Sequence, residues 1–200
     1  MPLRSKRADE SDQNGTPAGG HRPPRRRAAG ILRQTVVFAM LGTIMFLSKL
    51  VMEGMPNIHP LGMLTMVYTL VYRRRALIPI YVYVFLNGLY AGFALWWLPY
   101  LYLWAVLWGI TMLLPRRMPA WLAPIVYCIV CGLHGLAFGT LYAPAQALLF
   151  HMNFQQTIAW IVAGLPWDAV HAVGNAVMGV LIVPLTAALR RLDKRGAAPC

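Results

Sequence analysis

Carboxylates are scarce in this chain. Six Asp and Glu stand against 18 Lys and Arg in 200 residues, and charged residues of both signs make up only 12% of it. A soluble domain needs a charged shell, so this balance, with 58% apolar residues, argues against one and for a bilayer. Cysteine is rarer still, at three. Cys128 and Cys131 form a CxxC, but no second pair accompanies it and its surroundings are apolar, so the pair reads as ordinary buried thiols rather than a zinc or redox site. Cys200, in "AAPC", is in the wrong place for a prenylation signal. Two motifs are missing altogether. Without GxxxxGK[ST] the chain has no phosphate loop for ATP hydrolysis, and without HExxH it has no zincin-type metal pair.

What is abundant is apolar sequence in runs. Six of them, at about 31–52, 57–72, 76–93, 95–114, 120–143 and 167–189, predict an all-α integral membrane protein, a bundle of six transmembrane helices. The second run is short for a bilayer crossing and needs local thinning or cover from its neighbours. A net charge of +12 would suggest nucleic acid in a soluble protein, but its distribution points elsewhere. Eight basic residues lie between Arg4 and Arg33; the others are Arg73 to Arg75, Arg116 and Arg117, and Arg190, Arg191, Lys194 and Arg195, with Lys49 alone outside these groups. Basic short loops stay in the cytoplasm, so both termini are expected there. Residues 1–30 carry Pro, Gly and charge with few large apolar side chains, and predict a disordered basic tail ahead of a membrane domain at 31–189. A short basic tail at 190–200 follows. The apolar run after Arg33 is longer than the core of a cleavable signal.

This topology gathers polar residues in the outer half. In "AGLPWDAVHAVGNAVMGVLIVPL" the residues Asp168, His171 and Asn175 recur at helical spacing and share one face. Charged and polar side chains within a bilayer usually face a partner or a wet cavity. Asp168, after "LP", also has a simpler reading as a helix N-cap, which leaves His171 and Asn175 unexplained. A first external loop, "MEGMPNIHP", carries Glu53, Asn57 and His59, with Lys49 four residues before Glu53 at ion-pair spacing. Asn87 and Tyr90 precede a second turn holding Trp96 and Trp97, and a long third external segment from Tyr142 to Pro166 holds His151 and Trp160. Most of these rings suit an interfacial belt, and one or two suit the wall of a small-molecule site. Gly132, Gly135 and Gly139 in the fifth run, with Ala172 and Ala176 in the sixth, predict close packing of those two helices. Ala39 and Thr43, beside Gly42, form a small-xxx-small pair in the first.

The ordered stretches "FLSKL...PNI", "MVYTLVY", "YVYVFLNGLYAGFALWWLPYLYLW" and "AWIVAGLPWDAVHAVGNAVMG" resemble the substrate-binding S component of energy-coupling factor (ECF) vitamin transporters, over roughly residues 36–189. The resemblance implies a six-helix protein of a prokaryotic plasma membrane that captures a water-soluble vitamin or related micronutrient at its outer face. It further implies a subunit with no chemistry and no permanently bound cofactor of its own. It implies partners as well: a transmembrane coupling subunit and two cytoplasmic ABC ATPases. By region it assigns substrate contacts to Asn87, Tyr90, Trp96, Trp97, Trp160, Asp168, His171 and Asn175, with Glu53 and Asn57 on a lid formed by the first loop. In the family an AxxxA pattern on the first helix docks on the coupling subunit; Ala39 and Thr43 occupy the nearest equivalent here, with Thr in place of the second Ala.

Two other readings stay open from the residues alone. An intramembrane enzyme could draw an acid and a base from Glu53, His59, His151, Asp168 and His171, though no Ser or Cys nucleophile falls beside them. A divalent-metal uptake subunit could use the outer His residues, though no tight spacing such as HxH supports it.

Overall fold

The computed structural model describes residues 24–55 and 58–197, and all regular structure among them is helical. Eight α-helices follow in order: α1 (Pro24–Val51), α2 (Leu61–Tyr72), α3 (Leu77–Ala91), α4 (Tyr100–Leu113), α5 (Leu122–Leu136), α6 (Phe138–Leu149), α7 (Phe154–Gly179) and α8 (Ile182–Ala197). Short 3-10 turns at Arg73–Ala76 and Leu95–Trp97 precede α3 and α4. Packing divides the chain at Thr35. In the first unit the start of α1 is already helical, inside the stretch expected as a tail, and Thr35 Oγ1 donates to Ile31 O at 3.1 Å. The remainder of the expected tail, residues 1–23, and residues 198–200 lie outside the described residues. The expected C-terminal tail begins as helix, since α8 carries Arg190 and Arg191.

In the second unit, from Val36 onward, α2 occupies the middle. Nine of its twelve residues are buried, and it touches α3, α4, α5, α7 and α8. At 1.5 Å per residue it is about 18 Å long, well short of a hydrocarbon core of about 30 Å. Surrounded by protein, it can end inside that depth without offering its terminal backbone groups to lipid.

The most extensive seam is α5 against α7. It is built on missing β-carbons: one added at Gly135 would lie 2.8 Å from His171 O, and one at Gly132 would lie 3.2 Å from Ala176 Cβ. Glycines one turn apart signal this approach because only glycine lets two helix backbones come so near. On α1, Gly42 faces α3, where a β-carbon would lie 2.8 Å from Pro79 O, and Tyr68 on α2 donates to Leu41 O at 3.0 Å. Ala39 and Thr43 turn the other way and are exposed, with the Thr43 hydroxyl donating to Ala39 O at 2.9 Å.

Three stretches are long and apolar enough to cross a membrane: Ala28–Val51, Leu95–Leu113 and Leu122–Leu149. A fourth arises if α7 and α8, bent by 51° at their junction, count as one. The expected long external segment from 142 to 166 is instead α6, a short turn and the first half of α7. The turn is well specified, since Asn153 accepts from Gln156 N–H at 2.9 Å while the Gln156 side chain accepts from Asn153 N–H at 2.8 Å. Pro166 then sits inside α7 without ending it. A proline is a stop signal in water, but neighbouring helices inside a bundle can satisfy the carbonyl it leaves free.

At the far end of α2 two arginines tie it to α4 and α8. Arg73 Nη2 donates to Met112 O at 2.8 Å, Trp108 Nε1 donates to Arg73 O at 3.1 Å, and Arg190 Nη2 donates to Leu70 O at 3.0 Å. Arg73 also caps α2 with φ at 55°, a backbone region that residues with a β-carbon avoid.

Candidate functional site

Asp168, His171 and Asn175 are all buried, with exposures of 6%, 2% and 1%, so the polar face of α7 is turned into the protein rather than toward lipid. Each has different surroundings. The Asp168 carboxylate accepts the Gly139 N–H, with both oxygens at 3.1 Å. Gly139 lies in the first turn of α6, where backbone N–H groups have no partner within the helix. Asp168 therefore does cap a helix, but a neighbouring one, because α7 begins well before it and leaves it in mid-helix.

His171 lies between two aromatic neighbours, its ring 4.9 Å from His59 and 4.8 Å from Phe138, centroid to centroid. Its Nε2 is buried with no hydrogen bond. The Asn175 amide sits between α2 and α5: a β-carbon at Gly62 would lie 3.1 Å, and one at Gly135 2.9 Å, from Asn175 Nδ2. Neither its nitrogen nor its oxygen has a partner.

These residues border an aromatic hub centred on Trp104 of α4, which is 1% exposed. Its indole touches the rings of His59, Tyr83, Tyr100, His134 and Phe138 at 5.9 to 6.4 Å. Trp104 Nε1, Tyr83 OH, His59 Nδ1 and His134 Nδ1 are again buried and unbonded. His134 Nε2 lies 3.2 Å from Leu103 O, a contact that puts the proton on Nε2 and leaves Nδ1 as a bare acceptor. His59, just ahead of α2, sets its ring against both His171 and Trp104.

Some of the other expected contacts join this cluster. Asn87 is buried on α3 one turn beyond Tyr83, with its Oδ1 unbonded. Trp160 stacks on Tyr142 at 6.0 Å, Tyr142 continues to Phe138 at 6.3 Å, and the Tyr142 hydroxyl donates to Trp96 O at 2.6 Å. The Trp96 ring meets Tyr100 at 5.6 Å, so these rings lead from the α6–α7 turn to the hub. Others do not join. Tyr90 is 55% exposed and donates to Glu53 at 3.4 Å, while Glu53 pairs with Lys49 at 3.5 Å as its spacing predicts. Trp97 spends its Nε1 on Val84 O at 2.8 Å and packs against Phe93. Asn57 lies outside the described residues.

Trp104, Tyr83, His134 and Phe138 were not singled out by sequence as site residues. A signal existed in two four-residue intervals, Tyr83 to Asn87 and His134 to Phe138, each of which puts a polar or ring-bearing pair on one helix face. Trp104 carried none, because it sits among belt-like aromatics.

The arrangement is a dense set of donors and acceptors without partners among the described residues, walled by rings. An unpaired buried polar group costs about 1–3 kcal/mol, so such a set needs water or a polar guest. Cavities of about 490 and 400 Å³ open on the apolar outer faces of α7 and α5, and Asp168, His171 and Asn175 line neither. No group of three His, Cys, Asp or Glu is placed to hold a metal ion among the described residues. No protein-family model, no curated protein and no solved structure matches this chain.

Proposed function

We propose that the chain is the substrate-capturing subunit of an ECF-type importer, a six-crossing membrane protein with both termini in the cytoplasm. It takes a water-soluble vitamin or a related micronutrient from the outer face of a prokaryotic plasma membrane. A coupling subunit and two ABC ATPases supply the energy. The observation that carries this reading is the buried set of unbonded polar atoms on His171, Asn175, His134, Tyr83 and Trp104. Mixed donors and acceptors among aromatic rings suit a small heterocyclic solute, whose ring faces stack and whose edges hydrogen-bond. The cluster is closely packed, so admission requires a moving part. His59 belongs to a non-helical segment, Ile58 and His59, and its ring covers His171. Withdrawal of this segment uncovers the polar face of α7, and its return around a guest gives the partner subunits a conformation to distinguish.

Six crossings follow if α2 and α3 each count as one despite their length, α5 with α6 as one and α7 with α8 as one. Arg73, Arg116 and Arg190 then share the cytoplasmic side, in keeping with the positive-inside rule. The exposed Ala39 and Thr43 face offers a smooth surface for the coupling subunit.

Mass spectrometry of the purified chain should detect a retained heterocyclic solute. Asp168 holds α6, so His171→Ala is the cleaner probe. Loss of one hydrogen bond there weakens binding about tenfold. Absence of any retained or titratable solute, or undiminished affinity in His171→Ala with intact helicity, would overturn the assignment.

A further inference from the structure

The arginine end of the second unit encloses a cavity of its own. It measures about 240 Å³ and lies between the end of α2, the α4–α5 connection and α8. Arg73, Arg116, Arg190, Tyr127 and Thr186 supply its polar lining, and no carboxylate is among its lining residues. Three guanidinium groups around one small space repel each other unless an anion joins them. Two of the three are fixed in place. Arg73 and Arg190 are anchored by their bonds to Met112 O and Leu70 O.

Two neighbouring groups lack partners. Among the described residues Arg73 Nε is buried without a hydrogen bond, and so is Oγ1 of Thr186, a residue only 7% exposed. An N–H and a hydroxyl beside guanidinium forks match the oxygens of a tetrahedral oxyanion, which accept several charge-assisted bonds at once. Arg73 also holds φ at 55°, and backbone in such a region persists where surrounding contacts impose it, commonly at binding sites. In a bilayer this end lies where basic side chains meet the cytoplasmic headgroups, and basic pockets between helices at that level take lipid phosphates.

We propose that this cavity binds the phosphate group of an anionic phospholipid of the inner leaflet. The inference rests on the membrane reading of the chain but not on what its outer half captures.

The full chain is reconstituted in nanodiscs with equal phosphatidylglycerol and phosphatidylcholine, and native mass spectrometry counts the lipids it retains on release. Phosphatidylglycerol should be enriched on the wild type, and Arg116→Gln should lower that enrichment about tenfold, the scale of one charge-assisted bond. Arg116 is exposed and makes no hydrogen bond or ion pair among the described residues, so its replacement spares the fold. Thr186→Val, which removes the unbonded hydroxyl, should lower the enrichment to a smaller degree and decides the matter should Arg116→Gln lose helicity. Equal retention of both lipids by the wild type, or unchanged enrichment in both variants, overturns the site. Calorimetric titration of the detergent-solubilised chain with inorganic phosphate separates the sources: Arg116-dependent phosphate binding without lipid selection overturns the lipid assignment in favour of a free anion. A chain that fails to enter nanodiscs overturns the membrane reading, and this site with it.

Discussion

Replacing Gly135 with Ala tests the α5–α7 seam, and Gly164→Ala supplies its control. Both glycines lie inside helices, so each replacement gains the same intrinsic preference of about 0.8–1.0 kcal/mol. At Gly164 a β-carbon meets nothing within 4 Å. At Gly135 it would lie 2.8 Å from His171 O and 2.9 Å from Asn175 Nδ2. The first of these is backbone, which cannot swing aside as a side-chain tip can, so the two helices must part by roughly half an ångström to reach van der Waals distance. Overpacking of this kind costs about 1–3 kcal/mol. The propensity gain cancels in the comparison, so Gly135→Ala should be less stable than Gly164→Ala by about that whole amount. Tryptophan fluorescence during thermal unfolding in detergent reads the order directly: Gly164→Ala above wild type, Gly135→Ala below its partner. Equal midpoints for the two variants would mean that α5 and α7 are not seated backbone to backbone, and the geometry around Asn175 would fall with them.

Removing the Asp168 carboxylate with Ala strands the buried Gly139 N–H and should cost about 1–3 kcal/mol, whereas Asn keeps an acceptor and should cost less; faster hydrogen exchange at the start of α6 in the Ala variant alone would identify the lost bond. Trp104→Ala empties the centre of five ring contacts and should cost about 3–5 kcal/mol in thermal unfolding; a loss under 1 kcal/mol would show that the rings do not depend on it.

Periodicity and glycine spacing made much of this fold legible. The all-helical class, the α5–α7 seam and the inward turn of Asp168, His171 and Asn175 follow from residue intervals that any helix must respect. The segment from 142 to 166 was misjudged because Pro144, Pro166 and its polar residues resemble loop punctuation, and helices packed in a bundle tolerate both. Assigning the cap of Asp168 to its own helix was a local inference defeated by a tertiary contact: nothing near residue 168 reveals that the start of α6 lies beside it. Tyr90 and Glu53 entered the expected site by region, through the resemblance, and the structure pairs them with each other at 3.4 Å on the exposed side. Trp104 was hidden as an ordinary member of an aromatic run, whose convergence with the other rings depends on how four helices meet.

The brevity of α2 has an electrical consequence. His59 precedes its first turn and Arg73 follows its last, so in a bilayer only about 18 Å of apolar helix insulates the histidine cluster from the arginine cavity. A membrane voltage that normally falls across about 30 Å would drop there over little more than half that distance. The gradient along the twelve residues of α2 would be correspondingly steeper.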